Sequence, residues 1–293
     1  MSVTYSVAGA DITLLDIGQL AMLHDNSRPV DTWLLDTFFP RRASFARKDV
    51  PIAELDLDAP VAPYVSPCVE GRPIKENGTA DVKYVKPAYL KPKMTITPCT
   101  VLDSALVNRL REAGAISRGT LTDQDLFLID QVQKYKTLHD SIDNRRILMA
   151  AELLTTGKIV IESDDFVKYE VDYGRDASLN FSPATLWSDV SAPIVDDINT
   201  MVALLIAKGN AAPTVALTST SVFNAMLKNT QFKASFIAPV EQVQIAYAPQ
   251  LIDGMKAQYR GMIGSVQIWV YDAVIKTGGA TTRLIPNDFF ALI

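Results

Sequence analysis

The chain has 293 residues, of which 48% are hydrophobic and 21% charged. That is enough apolar material for a sizeable core, in one large domain or two smaller ones, and it excludes disorder over the whole length. A formal net charge of -5 with no evident basic face argues against a nucleic-acid binder, and no apolar run approaches the ~18 residues that span a bilayer.

The N-terminus, MSVTYSVAGADITLLD, lacks the basic start and apolar centre of a signal peptide. Asp11–Asp25 is expected as a short amphipathic helix, and Val30–Pro40 as a second, with Trp33, Leu34, Phe38 and Phe39 as its apolar members. Pro40 limits that second helix, because proline removes a backbone donor and clashes with the preceding turn. Neither piece forms a core, so this segment is expected to lie against something else. The run Phe38–Lys48 is the most basic of the chain and reads as a solvated loop.

The stretch Pro63–Lys93, PYVSPCVEGRPIKENGTADVKYVKPAYLKPK, is rich in proline and charge and has no helical stripe. Val82–Val85 and Met94–Thr97 have strand character. Glu76-Asn77-Gly78 is a turn signal, since Asn-Gly tolerates positive φ. The expectation is a long two-stranded excursion with Asn77-Gly78 at its tip. An isolated hairpin is marginal in water, so it should pack on another surface, in the same chain or a neighbouring one. Cys68 and Cys99 form no disulfide framework and read as free thiols of a reducing compartment, with a cross-link between them inside an assembled particle as the alternative.

Thr122-Asp123-Gln124-Asp125 resembles a capping box. From it Leu128, Val132, Tyr135, Leu138, Ile142, Met149 and Leu153 recur at helical spacing, with Asp130, Gln131, Lys134 and other polar residues between them. Gly157 suits the left-handed position that ends such a helix. The result would be a rod of roughly 45–50 Å, long enough to organise an elongated body. A hairpin follows: Lys158–Glu162, a turn at Ser163-Asp164-Asp165, then Val167, Tyr169, Val171 and Tyr173 alternating with Lys168, Glu170 and Asp172. A period of two marks a half-buried antiparallel strand. From Leu179 the pattern is α/β alternation. A helix closes near Gly209, Thr214–Ser219 is a buried strand, and Ser219 or Thr220 caps the next helix. Ser265–Ile275 is a second strand, KTGGATT is a turn, and the chain ends on FFALI.

Catalytic signatures fail one at a time. The two histidines are His24 and His139, and His139 with Asp143, four apart on the long helix, reads as a surface ion pair. No HExxH, cysteine cluster or G-x-S-x-G elbow occurs. TTGKI lacks both the earlier glycine of a phosphate loop, since Glu152 stands there, and the hydroxyl after Lys158, where Ile159 stands. Asp164-Asp165 and Asp196-Asp197 read as solvated turn and helix-start carboxylates. No cofactor, metal or catalytic residue is expected.

The order of these parts resembles the α+β, HK97-like major capsid protein fold of tailed phages. The blocks APYVSPCVEG (Ala62–Gly71), KPAYLKPK (Lys86–Lys93), YEVDYGR (Tyr169–Arg175), YRGMIGSVQIWVY (Tyr259–Tyr271) and RLIPND (Arg283–Asp288) resemble the lambda-type major capsid protein E family, in that family's order and spacing. The resemblance runs from about Asp31 to the end. It implies an N-terminal arm over 1–57, a β-hairpin extension loop over 58–104, a peripheral domain with spine helix and hairpin over 105–180, and an axial domain over 181–293. The family's returning peripheral strands are missing from this reading, which would leave that sheet with an open edge.

The implied function is self-assembly into an icosahedral shell that packages the double-stranded DNA of a tailed phage or prophage. Partners would be other copies, in hexamers and pentamers, with scaffold and decoration proteins. The DNA would be enclosed without sequence-specific binding, no membrane would be involved, and the product would be a virion capsid assembled in host cytoplasm. The inter-subunit residues of the extension loop would be Tyr64, Val65, Pro67, Val69, Ile74, Asn77, Gly78, Tyr84, Pro87, Tyr89, Lys91, Pro92 and Lys93. Alternatives are the shell of a cellular nanocompartment on the same fold, or an α/β enzyme or small-molecule-binding protein. The last would place a polar pocket near the ends of Thr214–Ser219 and Ser265–Ile275.

Overall fold

The computed structural model describes residues 4–7, 10–13, 30–45, 49–58, 77–95, 107–108, 111, 123–163, 166–209, 211–237, 256–277 and 280–293. The chain divides into two units: Met1–Pro40 with Lys91–Val160 and Asp172–Ile293, and Arg41–Leu90 with Ile161–Val171. In chain order the elements are β1 (Thr4–Val7), β2 (Ala10–Thr13), α1 (Trp33–Phe38), β3 (Val50–Asp58), β4 (Asn77–Val85), the long helix α2 (Asp123–Thr156), β5 (Lys158–Ser163), β6 (Phe166–Asp172) and α3 (Ile194–Gly209). They continue with β7 (Val215–Thr218), α4 (Thr220–Met226), α5 (Thr230–Ser235), β8 (Phe236–Ile237), β9 (Ala257–Ile263), β10 (Val266–Tyr271), β11 (Val274–Thr277), β12 (Ala280–Arg283) and β13 (Phe290–Leu292).

The first unit is built on a five-stranded sheet in the order β13-β7-β10-β9-β8. Only β7 and β10 run parallel; the other pairs are antiparallel. Its central strands are apolar on both faces, as expected where helices cover both sides. Val266, Ile268 and Val270 point to one face, where they meet Ile194 and Ile198 of α3, Phe223 and Met226 of α4 and Phe232 of α5. Leu217, Trp269 and Tyr271 point to the other, with Leu34 of α1 and Ile147, Ala150 and Ala151 of α2. Between β10 and β9 the ladder slips: Ile268 faces Gly261 and Trp269 faces Tyr259, leaving Arg260 as the extra residue. Gly261 takes φ 146°, a conformation glycine adopts without a Cβ penalty, and this allows the bulge.

Helix α1 confirms that the N-terminal segment leans on something else. Trp33 packs on Trp269 and Tyr271 with ring centroids 5.2 and 5.5 Å apart, and Leu34 is fully buried. Asp31 fixes the approach: its carboxylate accepts from the Trp33 amide at 3.2 Å and from the Lys256 amide at 3.0 Å. The helix expected over Asp11–Asp25 is corrected at its start. Asp11, Ile12 and Thr13 lie in β2, paired with Ser6, Tyr5 and Thr4. The β-branched Ile12 and Thr13 favour extended backbone. The rest of that expected helix lies outside the described residues.

Helix α2 has 34 residues and so runs about 51 Å. Its end is built as expected, with Gly157 at φ 76°. Arg175 then supplies what the helix end lacks, donating to the carbonyls of Leu154 (3.2 Å) and Thr155 (2.9 Å). A Cβ on Gly157 would sit 2.9 Å from the Arg175 Cβ, so glycine is needed for the close approach as well as the turn. The buried face differs from the predicted stripe. It comprises Ile129, Val132, Ile147, Ala150 and Ala151, and it also buries Asp130 and Gln131, which the sequence places on the polar side. Apolar residues occur on several sides of this helix, so the period alone does not select the face. Asp130 is charge-compensated by Lys134 at 2.8 Å.

Strands β5 and β6 form the expected hairpin as a two-stranded sheet. The predicted strand Ser265–Ile275 is two strands. β10 ends at Tyr271, and Asp272 leaves the ladder to accept from the Thr220 amide at the start of α4 (3.2 Å), the Thr220 hydroxyl and Arg283. The chain resumes as β11, paired with β12. KTGGATT is therefore largely strand, with its tip outside the described residues. Phe290–Leu292 of FFALI is the sheet's edge strand, against β7.

In the second unit β3 pairs antiparallel with β4, from Val50 opposite Val85 to Asp58 opposite Asn77. This corrects the hairpin. Asn77 and Gly78 are not its tip but the first residues of β4, and the partner strand is VPIAELDLD. There Leu55 and Leu57 alternate with Glu54, Asp56 and Asp58 at the strand period. The residues that join Asp58 to Asn77 lie outside the described ones. Met94 and Thr95 are not in a strand either: residues 86–95 have no regular structure, and Pro87 and Pro92 cannot donate to a ladder.

Candidate assembly surface

The segment that leaves β4 presents large apolar side chains to solvent. Tyr84 is 69% exposed and Tyr89 72%, and Leu90 and Met94 are exposed as well. Proline at 87 and 92 fixes φ and holds the backbone extended, so the side chains are presented at low entropic cost. Lys86, Lys91 and Lys93 are exposed between them, and residues 84–95 contain no carboxylate. A soluble surface seldom offers such large apolar groups together unless something covers them. In the second unit Phe45 is also exposed, as are Arg41 and Arg42 a few residues before it.

Of the expected interface residues, Tyr84, Pro87, Tyr89, Lys91, Pro92 and Lys93 are exposed. Asn77 and Gly78 lie in the β3–β4 ladder. Tyr64, Val65, Pro67, Val69 and Ile74 lie outside the described residues, as do Cys68 and Cys99. Leu90 and Met94 were not singled out by sequence reasoning. The signal was their place in the same proline-bounded run.

A second surface went unread in the sequence, over the aperiodic stretch between β6 and α3. Asp176, Asp189 and Asn229 shape it. Asp176 caps the short 3-10 turn Ala177–Leu179: its carboxylate accepts from the Ser178 amide and pairs with Lys208 at 3.0 Å. These bonds hold it down at about 2. Asp189 accepts from the amide and hydroxyl of Ser191 and is held below the usual carboxylate range by them. Asn229 is buried and satisfied on both ends: its amide donates to the carbonyls of Val190 and Ala192, and its oxygen accepts from the Phe232 amide. With the backbone so held, Leu186 and Val190 stand out into solvent, at 72% and 54% exposure.

Among the described residues the chemistry-bearing side chains that the sequence singled out lie in separate structural contacts. Asp143 pairs with Arg146 at 3.0 Å and not with His139, which packs on Tyr135; this corrects the expected His139–Asp143 pair. Asp197 accepts from the Trp187 indole at 2.8 Å and Asp196 from Gln231 at 3.2 Å, so both are structural. Burial, with the Asp31 carboxylate adding to it, holds the Tyr271 phenol far above its ordinary range. Among the described residues no His, Cys, Asp and Glu cluster could hold a metal, and no helix is long and apolar enough to cross a membrane.

This architecture, a sheet with helices on both faces, a long helix and an extended hairpin, is an α+β, HK97-like capsid fold. It superposes on the crystal structure of a capsid protein of an Escherichia coli CFT073 prophage with a TM-score of 0.64 at 17% identity, covering 95% of this chain and 80% of that one. The model of the family described as phage major capsid protein E matches residues 19–293, and the chain belongs to that family. Among curated relatives it is 28% identical to the major capsid protein of Enterobacteria phage P21 over 154 residues, 50% of this chain and 41% of that protein. It is 26% identical to the major capsid protein of Escherichia phage N15, over 92% of this chain and 77% of that one. To that of Escherichia phage lambda it is 23% identical, over 96% and 80%. The match thus spans about two fifths of the P21 protein and about four fifths of the lambda protein.

Proposed function

We propose that this chain is the subunit of a phage or prophage head. Copies of it associate into an icosahedral shell, as hexamers and pentamers, around double-stranded DNA. The observation that carries the reading is the exposed, proline-stiffened run from Tyr84 to Met94 in a chain of the capsid protein E family. A closed ring or shell requires head-to-tail contacts between unlike surfaces. An extended arm supplies such a contact without adding a domain. In this reading residues 1–57 are an arm, 58–104 the extension loop, 105–180 the peripheral domain and 181–293 the axial domain. The net charge of -5 suits a shell lining, because protein–DNA affinity comes mainly from cation–phosphate contacts. The role calls for no turnover, and assembly would take place in the host cytoplasm, with scaffold and decoration proteins as further partners.

The test is electron microscopy of the purified full chain beside a variant with Tyr84, Tyr89 and Leu90 changed to serine, which keeps the β3–β4 ladder. The full chain should give rings or shells, and the variant a folded but unassembled species by circular dichroism and light scattering. Normal shells from the variant would remove the arm from the interface. A strictly monomeric full chain at high concentration would remove the function.

A further inference from the structure

The first unit carries an open groove of about 440 Å³, within the range of small-molecule sites. Phe181, Trp187 and Phe290 form its aromatic lining, with Leu186 and Val222 beside them. Its walls are held before anything binds. The Trp187 indole donates to Asp197 at 2.8 Å, and its ring meets Phe290 edge-on with centroids 4.9 Å apart. The Thr218 hydroxyl donates to the Phe289 carbonyl at 3.0 Å and the Ser219 hydroxyl to the Asn287 carbonyl at 2.5 Å, which fixes the stretch carrying Asp288 and Phe290. Charge in the groove is of one sign. Asp288 lines it, is exposed and forms no ion pair among the described residues, and no lysine or arginine is in the lining.

These features select among ligands. An anion would meet the Asp288 carboxylate and the negative faces of the rings. A metal ion needs several oxygen ligands, and among the described residues no cluster supplies them. An organic cation suits both parts of the site. Its ammonium compensates the carboxylate and is attracted to the ring faces, while a flat apolar body covers the aromatic surface.

We propose that this groove binds an arylalkyl ammonium, a flat aromatic body bearing one protonated amine. The body lies against Phe181, Trp187 and Phe290, and the ammonium faces Asp288. Asp197 acts as a positioning residue by fixing the Trp187 ring. Binding is independent of the shell reading, since every lining residue belongs to one copy.

The test is calorimetry on the full chain with tryptamine and its neutral isostere tryptophol, which differ only in carrying an amine or a hydroxyl. Tryptamine should bind at one site per chain and at least about tenfold more tightly than tryptophol, a ratio that added salt reduces. Asp288→Asn is an exposed change that should leave the unfolding midpoint in place. It should bring the two ligands within about twofold of each other without weakening tryptophol. In chain labelled at the indole nitrogens, the Trp187 resonance should shift on adding tryptamine while those of Trp33 and Trp269 stay in place. Equal affinity for both ligands, a preference that survives Asp288→Asn, or a shift at Trp33 or Trp269 in place of Trp187 would overturn the proposal. So would no binding at millimolar concentration; if Leu186→Asp then also lowered particle yield, the groove would belong to a neighbouring protein surface.

Discussion

Strands β10 and β4 make an instructive pair. β10 has six residues, hydrogen-bonded neighbours on both sides and apolar cover on both faces, so that Ile268 and Tyr271 are fully buried. β4 has nine residues in an unbroken ladder with β3, its one strand partner among the described residues, and Tyr84 near its end is largely exposed. Ladder length is therefore not what stabilises a strand here. The net worth of a backbone hydrogen bond is small, because the unfolded chain bonds to water instead. Removal of apolar surface from water decides the matter. The shorter strand has that, and Tyr84 of the longer one does not.

Ile268→Ala should be the most damaging change to stability, lowering it by about 2–5 kcal/mol in denaturant unfolding, since both the transfer energy and a cavity are lost. An effect under 1 kcal/mol would break the contrast at its strong end. Gly157→Ala comes next, at about 1–2 kcal/mol, from the positive φ and the Arg175 approach. Its effect should shrink when combined with Arg175→Ala, a double-mutant cycle that separates the steric part from the backbone part. Tyr84→Ala should change the stability of the unassembled chain by no more than about 0.5 kcal/mol, as a surface substitution does. Its cost should appear only in assembly yield. A large loss in the unassembled chain would mean that Tyr84 already has cover within its own subunit.

The smallest effect concerns pH. The folded state holds Asp176 at about 2, below its ordinary value of 3.8, chiefly through the Ser178 amide and then Lys208. A depressed carboxylate pKa contributes stability that is present above the unfolded value and is lost as pH falls through the folded one. Asp176→Asn should therefore remove a small part of the acid-side loss between about 4 and 2, read from unfolding midpoints across that range. Because the group is exposed, the contribution should fade with added salt, which distinguishes it from core effects.

The sequence carried α2, the β5–β6 hairpin, the Gly157 stop and the Ser219 cap. All of these rest on interactions between near neighbours, and Ser219 does accept from the Val222 amide three residues on. It misread β4 because Asn77-Gly78 is a turn signal in isolation, while the pairing with VPIAELDLD is a contact between distant residues. It misjudged Asp130 and Gln131 because a helix with apolar residues on several sides has no single face until something packs on it. The exposure of the run 84–95 was legible through its prolines and its lack of a helical stripe. The groove of the first unit was not, since Phe181, Trp187, Val222 and Phe290 come from four separate stretches.

By itself, then, the sequence determined the local pieces and, through its five blocks, the family. Only the tertiary structure decided which face of α2 is buried, where β10 gives way to β11, and that FFALI closes one edge of the five-stranded sheet. Period and capping act over a few residues and are written in one segment. Face, register and edge are set by which distant surface removes the most apolar area from water, and that choice exists only once the chain has folded.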